Sequence, residues 1–127
     1  MNELYGKPIF QFSRFDALQQ GVLFDLSSNF PDECRLYRYH VACTSAVWSL
    51  VEQATADRKH CNSAAGVVWD ILYMSQHGIV ARPDEQTVIF QVIITGTGRC
   101  STHTMKAVCG PGDNMEPVIT IMLPEED

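Results

Sequence analysis

The residues able to carry chemistry in this chain fall into three small constellations. Cys109 stands where a strand-like run enters Gly110-Pro111-Gly112, and strand parity aligns it with Ala107, Met105 and, farther back, His103. A thiol beside an imidazole is a nucleophile arrangement. Asp70 sits between Trp69 and Ile71 in an apolar run, with His77 two helical turns on; a carboxylate–imidazole pair is a general-base arrangement. Arg35, Arg38 and His40, interleaved with Tyr37 and Tyr39, form a basic–aromatic cluster able to hold a small anion. Each has a plainer reading, which is preferred. Cys109 is a buried strand-end thiol, Asp70 and His77 share the wet stripe of a helix with Gly66, and the arginines decorate a solvated sheet face. No catalytic residue is expected.

Metals and cofactors are not expected either. Cys100-x-x-His103 with Cys109, or His60 beside Cys61, lacks the paired spacing of structural zinc. Cys100 and His103 also have opposite strand parity. Neither a phosphate-binding loop, a dinucleotide fingerprint, an H-E-x-x-H helix nor an EF-hand loop is present. The glycine-rich Gly110–Asp113 joins two strands, so it reads as a hairpin turn and not as a phosphate cradle.

The elements that would position these residues follow from period and punctuation. Ser13 to Asp16 resembles a capping box, opening a short helix that ends at Gly21. Val22, Phe24 and Leu26 alternate as a strand, and Tyr37, Tyr39, Val41 and Cys43 as a second. Thr44 caps a helix to about Ala54, with Val47, Leu50, Val51 and Ala54 on one face. Asn62 or Ser63 opens a stronger helix in which Ala64, Val67, Val68, Ile71 and Leu72 form the core face, Trp69 and Tyr73 extend it sideways, and Gly78 stops it. From Val88 onward the period is two, with turns at Gly96–Gly98 and Gly110–Asn114. The first of these strands is apolar on both sides. The reading is a single α+β domain, residues 1–127: a three-stranded antiparallel C-terminal meander, extendable by the N-terminal strands, with two main helices packed on one face.

Composition bounds the rest. At 127 residues and 46% hydrophobic the chain has material for one core. The net charge of −6 is concentrated: Gly112 to Asp127 holds five acids and no base, leaving the remaining 111 residues at −1. That argues against nucleic-acid binding, which needs a basic face. Pro124 should end the last strand and release Glu125–Asp127 into solvent. The N-terminus shows no signal-peptide pattern and no run is long enough to span a bilayer, so a cytoplasmic protein without a membrane partner is expected. The five cysteines, odd in number and unpaired in spacing, fit a reducing compartment.

Both ends of the chain carry a resemblance. Leu4-Tyr5-Gly6-Lys7-Pro8-Ile9-Phe10 leading to Gly21–Leu26, and Ala107–Asp113 with Glu116–Pro124, resemble a family of small uncharacterised proteins carried by bacterial plasmids, integrative elements and phages. Ala46-Val47-Trp48 and Trp69-Asp70-Ile71-Leu72 extend the match. The family brings no activity; it implies a mobile-element accessory gene in a bacterial host. The expectation is a non-enzymatic protein-binding protein, acting as a homodimer. Two alternatives stand: an anti-defence (anti-CRISPR-like) inhibitor of a host complex, and a small enzyme built on Cys109 or on Asp70 with His77.

Overall fold

In the computed structural model, which describes residues 13–57, 62–98 and 101–126, the chain opens as its caps dictate. Ser13 accepts the Asp16 N–H and starts α1 (Arg14–Gln19). Gly21, at φ +80°, supplies the left-handed turn into β1 (Leu23–Asp25). Asp25 then caps one turn, α2 (Leu26–Asn29), through the Ser28 N–H. Leu26 is therefore helical, and the first strand is cut to three residues. The second strand is also shorter than its alternation suggests, because Glu33–Leu36 wind into a 3₁₀ turn and β2 covers His40–Thr44. Thr44 caps α3 (Ser45–Ala56) and Ser63 caps α4 (Ala64–Ala81). Three strands follow, β3 (Thr87–Ile93), β4 (Thr102–Pro111) and β5 (Pro117–Met122).

The result is a mixed α+β fold on a five-stranded sheet of order β1-β2-β5-β4-β3. β3, β4 and β5 pair antiparallel in sequence. β5 also lies parallel to β2, so the meander continues directly into the N-terminal strands. The core occupies one face. Val41, Cys43, Phe90, Val92, Met105, Ala107, Ile119 and Ile121 meet Val47, Val51 and Ala54 of α3 and Val67, Val68, Ile71 and Leu72 of α4. α1 covers part of the opposite face: Arg14 Nη1 donates to Thr120 Oγ1 at 2.7 Å and Nη2 to the Ile119 carbonyl at 3.1 Å. Across β3 that opposite face is open, with Ile89 and Ile93 exposed.

Two further sequence expectations are corrected here. Gly78 does not stop α4, which runs to Ala81. It faces β3 instead, where a Cβ would come within 2.8 Å of Val88 Cγ1 and 3.7 Å of Phe90 Cβ. The missing side chain lets helix and strand close on each other. Nor is Glu126 free. Glu126 Oε1 accepts from Thr44 Oγ1 at 2.7 Å and from the Leu123 N–H at 2.8 Å, pinning the tail to the α3 cap. Asp113 accepts the Arg14 and Phe15 N–H groups, each at 2.8 Å, so it holds the start of α1. The N-terminal stretch of the resemblance, together with His60, Cys61, Cys100 and Asp127, lies outside the described residues. Among the described residues no helix is long and apolar enough to cross a membrane.

Candidate functional site

α4 buries Val67, Val68, Ile71, Leu72 and Ser75 on its inner side. At about 100° per residue, Trp69, Tyr73, His77 and Val80 fall within an arc of roughly 80° on its outer side. Here the structure corrects the placement of Trp69 and Tyr73 beside the core: they are 42% and 44% exposed, and Val80 is 71% exposed. Their rings form a ladder, Trp69 and Tyr73 with centroids 6.0 Å apart and Tyr73 and His77 edge-on at 4.5 Å. Toward β3, Asp70, Tyr73 and Met74 line a cleft of about 450 Å³ whose other wall is Gln91, Val92, Ile93 and Thr102. The surface is apolar at its centre and polar at its rim.

The residues expected to do chemistry are dispersed. His103 and Cys109 share a face of β4, but six steps along the strand set them about 20 Å apart. His103 Nε2 is bonded to Thr97 Oγ1 at 2.8 Å, while Cys109 packs at the core margin beside a shallow cleft bordered by Pro83, Pro111 and Pro117. Asp70 and His77 lie on the same side of α4 about 10 Å apart along its axis, and the His77 ring packs on Tyr73. Arg35 pairs with Asp32 at 3.4 Å, both in solvent. Arg38 is exposed ahead of β2. Neither arginine joins His40 in a cluster.

His40 is instead engaged at both ring nitrogens. Its Nε2 meets Asp25 Oδ1 at 3.0 Å and its Nδ1 meets Arg14 Nη2 at 3.3 Å. A guanidinium can only donate, so Nδ1 accepts and Nε2 carries the proton toward Asp25. Burial draws the Asp25 carboxyl upward, but the Ser28 N–H, the Ser28 hydroxyl and His40 outweigh it and hold it below its ordinary value. Burial lowers the Arg14 guanidinium against the pull of Asp25, Asp113 and Glu116. The network fastens α1 to the sheet.

Two of the thiols are chemically quiet. Burial pushes Cys34 up to about 11 and Cys43 up to about 12, so neither forms a nucleophilic thiolate at neutral pH. Tyr37 O–H donates to Ser75 Oγ at 2.6 Å, and Ser75 Oγ–H donates to the Leu72 carbonyl at 2.8 Å. This pair secures the segment before β2 to α4. Among the described residues no three His, Cys, Asp or Glu side chains are grouped to hold a metal. The ladder is the feature that sequence reasoning missed. Its signal was present in the spacing, because Trp69, Tyr73, His77 and Val80 recur at i, i+4, i+8 and i+11, a stripe centred opposite Val68 and Ile71.

The chain belongs to a family of unknown function, DUF6573, whose match spans residues 1–127. No curated protein and no solved structure matches it.

Proposed function

We propose that this chain is a non-enzymatic protein-binding accessory protein and that α4 with the adjoining β3 margin is its contact surface. One observation carries the reading: the Trp69–Tyr73–His77 ladder, with Met74 and Val80, stays in water on a helix whose other side builds the core. Covering the exposed parts of the two large rings would remove roughly 200 Å² from solvent, an upper value of about 5 kcal/mol. Trp, Tyr and Met are the residue types that anchor protein interfaces. The polar groups able to do chemistry are, by contrast, apart or engaged with one another.

The resemblance to proteins of bacterial plasmids, integrative elements and phages extends the proposal. The partner is then a host protein, a defence complex among the candidates. With fifteen acids against nine bases the chain is poorly suited to nucleic acid. The test is a tagged pull-down from bacterial cells followed by mass spectrometry, run with the wild type and with Trp69→Ala/Tyr73→Ala. Both substitutions lie on an exposed surface, so the fold should survive, which circular dichroism checks. A partner retained equally by both proteins refutes the surface assigned here.

A further inference from the structure

β3 is the last strand of its sheet, and among the described residues nothing pairs with its outer edge. The Ile94 N–H bonds to the Ser101 carbonyl and the Cys109 N–H to the Gln86 carbonyl, with unbroken register between them. In an antiparallel ladder this directs the backbone groups of the even-numbered residues to β4. Those of Thr87, Ile89, Gln91 and Ile93 point away from the sheet. No described residue is bonded to the backbone of Ile89, Gln91 or Ile93 beyond β3. Natural edges are blunted by charges, proline or bulges. Thr87 to Thr95 contains neither a charged residue nor a proline, and its pairing has no bulge.

The flank of α4 runs alongside this edge and forms the cleft with it. A groove between a helix and a free strand edge is the geometry that receives an extended peptide as an added strand. We propose that β3 takes an extended segment of the partner protein as a sixth strand, with a lysine or arginine of that segment facing Asp70. This rests on the protein-binding reading and specifies how the partner docks. Asp70 is the charged residue among the described residues lining the cleft, and Tyr73 and Met74 beside it call for apolar side chains at alternate positions of the segment.

A second copy of this chain fits the edge less well, although the strand reads nearly alike from both ends about Gln91, with Ile89 matching Ile93 and Thr87 matching Thr95. α4 lies directly on β3, as the close approach at Gly78 requires. Pairing two β3 edges would set the two strands about 4.8 Å apart, each with its own helix on the same side. Packed helices need about 8–10 Å. A segment without a covering helix meets no such obstacle.

The full chain, panned against a phage-displayed library of random nine-residue peptides, provides the test. Enriched peptides should alternate in polarity and carry one basic residue. Gln91→Pro removes only an outward N–H and leaves the ladder to β4 intact, as edge strands tolerate. It should weaken peptide binding by about tenfold or more, and methylating alternate peptide amides should do the same. Asp70→Lys should abolish the basic preference. Hydrogen exchange at Ile89, Gln91 and Ile93 should slow when peptide is bound. Peptides that bind Gln91→Pro normally but lose affinity for Trp69→Ala/Tyr73→Ala would sink strand addition while leaving the protein-binding surface standing. Failure to enrich any peptide, or a dimer of the free chain that Gln91→Pro dissociates, would also overturn the proposal.

Discussion

Replacing Gly78 with alanine probes the contact that sets α4 on β3, and with it the shape of the cleft. The new Cβ would stand 2.8 Å from Val88 Cγ1, where carbon atoms prefer about 3.5–4.0 Å. Helix and strand must part by several tenths of an ångström, and overpacking of this kind costs about 1–3 kcal/mol. Alanine in place of glycine within a helix returns about 1 kcal/mol. The net expectation for Gly78→Ala is a loss of up to about 2 kcal/mol. Val88→Ala removes the colliding methyl and, by opening a buried site, costs about 2 kcal/mol on its own. In that background the collision is gone and only the helical gain remains, so Gly78→Ala should stabilise by about 1 kcal/mol. The sign of one substitution thus inverts with the identity of Val88. Urea unfolding of the four proteins, followed by circular dichroism, measures the cycle. Stabilisation by Gly78→Ala in the wild-type background would refute the close approach.

Glu126→Ala removes the acceptor for Thr44 Oγ1 and the Leu123 N–H. It should cost about 1–2 kcal/mol, lowering the melting temperature by about 3–10 °C; an unchanged temperature in differential scanning calorimetry would mean the tail is not docked. Asp25 has a depressed folded pKa, chiefly because the Ser28 and His40 hydrogen bonds outweigh its burial. Its charge-dependent stabilisation is therefore complete above the unfolded value, near 3.9, and lost as pH falls through the folded value. The stability gap between wild type and Asp25→Asn, from urea melts, should be widest at neutral pH and narrow as pH falls below the unfolded value, near 3.9. A gap that does not change with pH would contradict this.

Much of the fold was legible because it depends on local chemistry. Ser13, Thr44 and Ser63 announce three helices through their own side chains. The alternation from Val88 onward gives β3 its faces residue by residue. What could not be read depends on partners distant in sequence. Tyr37 and Tyr39 alternate like a strand, but Tyr37 is drawn to Ser75 on α4 and the ladder begins only at His40. Gly78 resembles a helix stop unless Val88 is known to press against it. His40 looks like an anion ligand until Arg14 and Asp25 close on it. The double-sided apolarity of β3 was visible in the sequence, but its meaning needed the sheet order, which leaves the strand at an edge. Trp69 was misplaced because an aromatic residue adjoining a core face is usually part of it. Here the face ends one residue short.

The central claim, that a partner protein sits on the outer side of α4, is tested most directly by site-specific photo-cross-linking in bacterial cells. A benzoylphenylalanine replaces Tyr73 in one protein and Glu52, exposed on α3, in another. The account predicts a discrete heavier adduct from position 73, absent from position 52 and lost when Trp69→Ala is added. Adducts of equal yield from both positions, or an adduct from position 52 alone, would contradict it.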